Sequence, residues 1–264
     1  MGGEAHTKPA ADRDLTDDGF LGERLKILQP AKGHRSGLDA VMLAASIPAI
    51  HDERALDVGC GAGVAALCLA RRVQGLEVRG IDIQAGLVAL AGENAARNGL
   101  EARARFIEAD VAAPRGALSE KDCPPHSFDH VMANPPFYAP GTTWTPPDAG
   151  KSTAHIAEGA DLALWVDFCC AMARPKGTVS FIHRADALGE LLGAIGTKLG
   201  GLVVYPLWPA PGKAARRLLV QGIKGSRSPL AMLPGLVLHG EEGGFEPEAE
   251  AVLRHGEALD FSVS

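Results

Sequence analysis

Short apolar runs alternate with longer amphipathic stretches along most of the chain. The apolar runs, rich in β-branched and aromatic residues, predict seven strands: residues 54–58, 77–83, 103–108, 128–133, 177–182, 202–208 and 216–223. Apolar positions at helical spacing predict helices at residues 63–73, 84–98, 160–173 and 185–199. This alternation is typical of an α/β fold, in which helices cover both faces of an open, mostly parallel sheet.

The two ends of this pattern differ from its middle. The last two strands are joined only by "PAPGKAA", which is too short for a crossover helix and predicts an antiparallel hairpin. Before the first strand, "RLKILQPAKGHRSG" (24–37) predicts a small hairpin around a Pro/Gly turn. A helix should follow, in which Ser36 and Asp39 fit a capping box and which Pro48 ends.

The acidic residues concentrate at the two ends of the chain. The net charge is −6, yet residues 24–240 hold 19 acids and 23 bases, a net charge of +4. We therefore expect a flexible acidic arm (1–23), a single domain (24–230, with its hairpin and helix in 24–50 and its core in 51–230) and an acidic extension (231–264). Between Glu190 and Glu241 there is no acid, so a local basic face for a phosphate backbone is predicted there.

Several classes of protein are disfavoured by composition. The five cysteines form no C-x-x-C motif, which argues against a disulfide framework and predicts no metal centre. The amino-terminal segment lacks the apolar core of a signal peptide, and no apolar run approaches the roughly 18 residues of a membrane span. We expect a cytoplasmic protein with no membrane partner.

Glycines and acids follow the predicted strands, at the carboxyl ends of the strands, where sheets of this kind bind ligands. "LDVGCGAG" (56–63) places Asp57 before Gly59, Gly61 and Gly63, which let a ligand approach main-chain amides at a helix start. The spacing G-x-G-x-G differs from the dinucleotide pattern G-x-G-x-x-G.

Two further acids close the next strands. Asp82, beside Ile83, is placed where a carboxylate accepts ribose hydroxyls, and Asp110, beside Val111, where one accepts an adenine amino group. Each acid could instead be a helix cap or turn former. Together with the glycine turn they predict an adenosine-shaped pocket.

The fourth strand ends in "NPPF", residues 134–137. Pro135 and Pro136 fix the backbone and carry no N–H, so the Asn134 side-chain oxygen and the Pro135 carbonyl are available as acceptors. They can hold the two hydrogens of a planar amino group while Phe137 stacks on a base. This predicts methylation of an amide-like or exocyclic nitrogen by S-adenosylmethionine, with S-adenosylhomocysteine as the product.

These motifs resemble the class I S-adenosylmethionine-dependent methyltransferases with an Asn-Pro-Pro-aromatic motif, which have a Rossmann-like fold. More narrowly, "LQPAKGHRSGLDAVMLAA" (28–45), "NPPF" with "STAH" (152–155), and "RRLLVQGIKGSRSPL" (216–230) resemble the bacterial valine-tRNA adenine-N6 methyltransferase family. The resemblance covers roughly residues 24–230 and implies methylation of the adenine beside the anticodon, adenine-37.

The resemblance implies a role for each motif residue. Asp57 and the three glycines would surround the methionine part of the cofactor, Asp82 and Ile83 the ribose, Asp110 and Val111 the adenine, and Asn134 to Phe137 the target base. Arg35, Gly37 and Asp39 would close the cofactor pocket, although Asp39 could simply cap a helix. The predicted RNA contacts are His34, Lys213, Arg216, Arg217, Lys224 and Arg227.

Other acceptors and classes stay open at this point. A protein glutamine-N5 methyltransferase offers Asn134 a planar amide, and a ribosomal-RNA guanine-N2 methyltransferase offers it another base. A nicotinamide-dependent oxidoreductase would explain Asp82 and the glycine turn but gives NPPF no task, and a non-catalytic RNA-binding module would not need Asp57, Asp82 and Asn134. The sequence favours RNA, and tRNA in particular, over DNA as the partner, and it gives no indication of an oligomeric state.

Overall fold

The computed structural model describes residues 14–33, 35–136 and 162–263, which form a two-stranded hairpin and a nine-stranded sheet with helices on its faces. The strands are β1 (Leu15–Phe20), β2 (Leu25–Pro30), β3 (Arg54–Val58), β4 (Glu77–Asp82), β5 (Ala104–Glu108), β6 (Phe128–Ala133), β7 (Ala173–Arg184), β8 (Leu199–Trp208), β9 (Arg217–Lys224), β10 (Ala231–Met232) and β11 (Leu236–Val237). The α-helices are α1 (Leu38–Ala45), α2 (Val64–Arg72), α3 (Ala85–Arg97), α4 (Leu162–Met172), α5 (Leu188–Ile195) and α6 (Pro247–His255).

The order of the large sheet places the predicted motifs at one edge. Its strands run β10-β8-β9-β7-β6-β3-β4-β5, and β11 also pairs with β8. Neighbours from β7 to β5 are parallel, whereas β9 is antiparallel to both β7 and β8. The mostly parallel sheet, its seven predicted strands and the carboxyl-terminal antiparallel hairpin are confirmed. Since β3, β4, β5 and β6 all end on the same side, their terminal residues meet along one edge, which we call the carboxyl edge.

Burial explains why these strands could be predicted. Residues of β3, β6 and β7 pack on both faces, so they appear as continuous apolar runs. One core lies between the sheet and α1, α2 and the hairpin, and a second lies between the sheet, α4 and α5. Among the residues described, no helix has the length and apolar character needed to cross a bilayer.

The amino-terminal hairpin differs from the prediction. It is formed by β1 and β2 across residues 15–30, so the expected hairpin at 24–37 is wrong, and the expected flexible arm contains a strand. The acidic composition of this segment predicts a solvated arm. Instead Asp17 pairs with Arg97 and Asp18 with Arg35, each at 2.7 Å, so opposite charges tie the strand to the domain.

The predicted capping box before α1 is also wrong. The helix begins at Leu38 after Gly37, and no side chain caps it. The backbone N–H of Ser36 donates to Gln29 Oε1 at 2.9 Å, and the Asp39 carboxylate accepts from Arg217 Nε at 2.9 Å. Asp39 therefore pairs with a distant strand instead of closing its own helix.

The carboxyl-terminal segment is part of the folded unit. The sequence predicts that residues 231–264 extend beyond a domain ending at 230. Instead β10 and β11 both pair with β8 and so belong to the large sheet. Helix α6 packs on α1, and Ala249 and Val252 are buried. None of the acids that suggested a separate segment is buried, and only Glu248 and Glu250 of them lie on this helix.

Candidate active site

The glycine turn between β3 and α2 is held open by backbone geometry. Gly61 has φ +54° and donates its N–H to Asp82 Oδ2 at 2.9 Å, and a Cβ on Gly61 would meet no atom within 4 Å. Gly63 has φ +85°, and its added Cβ would lie 2.9 Å from Phe106 Cζ. Gly63 thus permits close packing beneath the turn, whereas Gly61 leaves a cradle above it.

Asp57 supports this turn from below. Its side chain is buried, and Oδ2 accepts a hydrogen bond at 3.1 Å from the backbone N–H of Ala66 in the first turn of α2. Burial, with a smaller contribution from the charge of Asp82, raises the pKa of Asp57 to about 7, and the Ala66 bond opposes the shift. Asp57 therefore positions α2 against β3.

Asp82 ends β4 with both oxygens oriented by main-chain donors. Oδ2 accepts from Gly61 and Oδ1 from the N–H of Gln84, each at 2.9 Å. The next residue, Ile83, is 47% exposed, unusual for a large apolar side chain. A fixed carboxylate beside an exposed apolar surface is the combination that a nucleoside requires, since the sugar presents hydroxyls and the base a flat face.

Asp110 lies at the same edge, after β5. Its Oδ1 accepts from the N–H of Ala112 at 2.8 Å, a local bond that favours a turn-forming role for that oxygen. Val111 is partly buried against the core under α4. The structure brings both residues to the edge where β3 and β4 end, and their contact with an adenine stays a prediction.

Asn134 follows β6 at the centre of the carboxyl edge. Its Oδ1 atom is buried and has no hydrogen-bond partner among the described residues. Pro135 is buried behind it and Pro136 is exposed. A buried acceptor without a donor is costly, so this amide is poised for a donor from a bound molecule.

The residues predicted to close the pocket are engaged in the amino-terminal region. Arg35 Nη2 lies 2.7 Å from both oxygens of Asp18, and Gly37 precedes α1. Asp39 binds Arg217. Any contact of these side chains with a cofactor stays a prediction. Phe137 and His34 lie outside the described residues.

The six predicted RNA contacts do not form one surface. Because β9 is antiparallel to its neighbours, it starts at the carboxyl edge with Arg217, beside Arg184, and ends at the opposite edge with Lys224. Lys213 and Arg216 are exposed at the carboxyl edge. Lys224 Nζ donates to the Ala173 carbonyl at 2.7 Å, and burial lowers the pKa of Lys224.

Arg227 lies beyond Lys224, also away from the carboxyl edge. A strand of eight residues spans roughly 25 Å, so one small RNA loop on the pocket would not reach both ends. Lys224 and Arg227 therefore lie apart from Lys213, Arg216 and Arg217, and the RNA contacts of both groups stay a prediction.

Three residues near the site escaped sequence analysis. Trp165 of α4 packs under the glycine turn, where its Cη2 would lie 2.6 Å from a Cβ on Gly59. Asn94 of α3, fully buried, donates to the Ala62 carbonyl of that turn at 3.0 Å. His183, at the end of β7, is buried, and burial lowers its pKa. Their positions in apolar stretches gave no signal beyond core packing.

The cysteines give no sign of thiolate chemistry. All five are free and buried, and burial raises the pKa of Cys68 to about 12. Cys60, inside the glycine turn, also has a raised pKa because it is buried and near Asp57. A buried neutral thiol is a poor nucleophile, so these side chains act as small apolar residues.

Known proteins are similar to this chain in sequence and in fold. Residues 37–146 match the family described as the methyltransferase small domain. A tRNA1(Val) (adenine(37)-N6)-methyltransferase from Musicola paradisiaca is 27% identical over 68% of this chain and 69% of its own length. The enzyme of the same name from Yersinia pestis (strain Pestoides F) is 27% identical over 53% of this chain, and the chain spans about half, 54%, of its length.

A solved structure covers more of the chain. A protein from Agrobacterium tumefaciens, described as a predicted O-methyltransferase, has a TM-score of 0.71 and 28% identity, covering 84% of this chain and 98% of its own.

The fold, the glycine turn and these similarities define a class I S-adenosylmethionine-dependent methyltransferase. Within that class, residues 37–146 match the model of the methyltransferase small domain. The site fits the cofactor on its own geometry: Gly61 leaves a cradle, Asp82 presents a fixed carboxylate and Ile83 an exposed apolar surface. When bound, S-adenosylmethionine supplies an activated methyl group for transfer in line to a nucleophile.

Proposed function

We propose that this enzyme methylates the exocyclic N6 of an adenine in tRNA, and that the target is adenine-37 beside the anticodon. The observation that carries the proposal is the buried Oδ1 of Asn134 at the carboxyl edge, which has no hydrogen-bond partner in the part of the chain that the structure describes. An amino group of a flat ring supplies the donor that this oxygen lacks. The activity of the Musicola and Yersinia relatives is named in the same terms and supports the choice of adenine and tRNA.

The chain's own residues would act by positioning. Asn134 Oδ1 accepts one N–H of the amino group, and Pro135, which has no N–H of its own, keeps the backbone stiff behind it. Holding the nitrogen in place aims its lone pair and assists its change to tetrahedral geometry. The amine loses its proton after attack, so the step requires no strong base. For an adenine within a loop, the base first swings out of its stack into the pocket.

Because its tRNA substrate is available in the cytoplasm, we place the enzyme there. The same clamp also suits the side-chain amide of a protein glutamine or the N2 of a guanine. The name of the Agrobacterium neighbour raises a further alternative, transfer to a hydroxyl oxygen. These acceptors differ in the product they leave, and one assay separates them.

The experiment is methyl transfer from radiolabelled S-adenosylmethionine to separate tRNA, ribosomal RNA and protein fractions. The expected result is label in tRNA that co-elutes with N6-methyladenosine after digestion. Label in a 2′-O-methylated nucleoside, in N2-methylguanosine or in protein would replace the proposal by the corresponding alternative.

The role of the clamp is tested by Asn134→Ala. Turnover should fall roughly 100-fold or more, the usual effect of removing one preorganised hydrogen-bonding group at a reacting centre. Cofactor affinity, measured by calorimetry on the same preparation, should change little because Gly61 and Asp82 are untouched. Undiminished turnover in the variant would refute the assignment.

A further inference from the structure

A shallow cleft of about 520 Å³ lies at the carboxyl edge, away from Asn134. It is formed by the end of β8, the loop joining β8 to β9, and β11. Its lining residues are Trp208, Ala210, Pro211, Gly212, Lys213, Ala214 and Val237. Nothing in the chemistry at Asn134 uses these residues.

The cleft combines a flat aromatic ring with an uncompensated positive charge. Trp208 is half-buried, and its indole Nε1 donates to the Pro234 carbonyl at 2.9 Å, which fixes the ring. Lys213 is exposed and has no ion-pair partner within the described part of the chain. Arg216, two residues beyond Ala214, is likewise exposed and without an ion pair there.

The acids of the chain lie elsewhere in the sequence. No Asp or Glu occurs between Glu190 and Glu241, so neither the loop nor β11 contributes a negative charge to the cleft. An anion near Lys213 would therefore meet no repulsion from these two elements. A ring for stacking and a cation for a phosphate are the two features by which proteins hold single-stranded nucleic acid.

The strand order sets the distance of this cleft from the reacting centre. From β6, which ends at Ala133, the order continues through β7 and β9 to β8, which ends at Trp208. Three steps of about 4.8 Å place the cleft roughly 14 Å from the amine clamp. At this distance the base held by Asn134 cannot also occupy the cleft. A neighbouring nucleotide of the same RNA loop can reach it.

We propose that the cleft between Trp208 and Lys213 binds a nucleotide that flanks the target adenine, with its base stacked on the Trp208 ring and its phosphate beside the Lys213 ammonium. The proposal rests on the proposed function, since it assumes an RNA acceptor. It gives the enzyme a second point of contact and makes recognition depend on the loop around the target base.

The test compares Trp208→Leu and Trp208→Phe in steady-state methylation of a valine tRNA transcript. Both variants lose the Nε1 bond to Pro234, but only the Phe variant keeps a ring. Trp208→Leu should raise the KM for tRNA roughly tenfold, the size expected from one stacked base, with kcat changed less. Trp208→Phe should stay within about threefold of wild type on the same reasoning.

The charge is tested by Lys213→Gln against Lys176→Gln. Lys176 is an exposed lysine near the start of β7, at the opposite edge of the sheet. Lys213→Gln should raise the KM for tRNA and reduce the salt dependence of binding by about one unit of slope, whereas Lys176→Gln should change neither.

The outcomes separate this inference from the proposed function. If the wild-type enzyme methylates tRNA but Trp208→Leu and Trp208→Phe have equal KM values for tRNA, the proposed nucleotide site in the cleft is refuted and the proposed function stands. Equal salt slopes for the two lysine variants would overturn the phosphate contact. Wild-type enzyme that transfers no methyl group to tRNA would refute the proposed function itself. S-adenosylmethionine affinity in every variant serves as the control for folding.

Discussion

At the residue scale, the acids that close the strands have different tasks, although they look alike in the sequence. Asp82 is held by two main-chain donors at the edge of the cradle, whereas Asp57 is buried beneath it. Their positions follow from the ends of the strands, which the apolar runs predicted well. The burial of Asp57 depends on how α2 packs, which only the assembled fold determines.

The burial of Asp57 has a measurable consequence for stability. Its pKa is about 7 in the folded protein against an ordinary value of 3.8 for an aspartate, so between pH 3.8 and pH 7 the native state binds a proton that the unfolded chain has lost. The free energy of unfolding therefore falls as pH rises through this window, and the loss is complete above pH 7. Three pKa units correspond to about 4 kcal/mol as an order of magnitude.

Asp57→Asn should remove this dependence. The difference in unfolding free energy, variant minus wild type, should rise by roughly 3 kcal/mol from pH 4.5 to pH 8, because the amide never ionises. Urea unfolding at several pH values measures it. Asp52→Asn, an exposed carboxyl, is the matched control and should follow the wild-type profile. Parallel profiles for Asp57→Asn and wild type would contradict the prediction.

At the element scale, the core strands were predictable and the amino-terminal hairpin was not. Strands buried on both faces leave long apolar runs, as in β6 and β8. Strand β1, "LTDDGF", leaves no such run, because its acids pair with Arg35 and Arg97. Charge pairing between distant segments is invisible to a local pattern, and for the same reason the Asp39–Arg217 pair was taken for a helix cap.

Asn94 of α3 and Asn98, which directly follows that helix, attach the hairpin to the domain. Asn94 Oδ1 accepts from Leu28 N–H at 2.8 Å, and its Nδ2 donates to the Leu28 carbonyl at 2.9 Å and to Ala62 at 3.0 Å. Asn98, one turn later, makes the same pair of bonds with Lys26, at 3.0 and 2.8 Å, closer to solvent. The two side chains thus bond to the main chain of β2 in the way that a neighbouring strand would.

Asn94→Ala should destabilise the protein much more than Asn98→Ala. Removing the buried amide leaves polar groups of Leu28 and Ala62 without partners, at about 1–3 kcal/mol each, so a loss of roughly 3 kcal/mol or more is expected. Water can replace the Asn98 bonds, so about 1 kcal/mol is expected there. Urea unfolding and amide exchange at Leu28 and Lys26 measure both effects. Equal losses in the two variants would contradict this account.

At the scale of the whole molecule, the amino-terminal hairpin and the segment after α6 lie on the same side of the domain. The Arg24 guanidinium donates to the Arg254 carbonyl at 3.2 Å, and the N–H of Leu259 donates to the Ala45 carbonyl of α1 at 2.9 Å. Phe261 stacks on Tyr205 of β8 with ring centroids 5.0 Å apart. Composition alone suggested two acidic ends outside the fold. Charge pairs attach the amino-terminal strand β1, whereas sparse apolar residues, Phe261 among them, attach the carboxyl-terminal tail. So few apolar positions form no period that a pattern could detect.

Packing rather than charge should therefore decide the effect of removing the tail, residues 257–264. Its deletion should lower the free energy of unfolding by about 2 kcal/mol, with Phe261→Ala alone responsible for about 1 kcal/mol, the range of an aromatic pair. Thermal unfolding at matched pH measures both. The double variant Glu257→Gln/Asp260→Asn removes the tail's acids and keeps Phe261, so its melting temperature should stay close to wild type. A melting temperature in the charge variant as low as that of the deletion would mean that the acids, not the ring, hold the tail against β8.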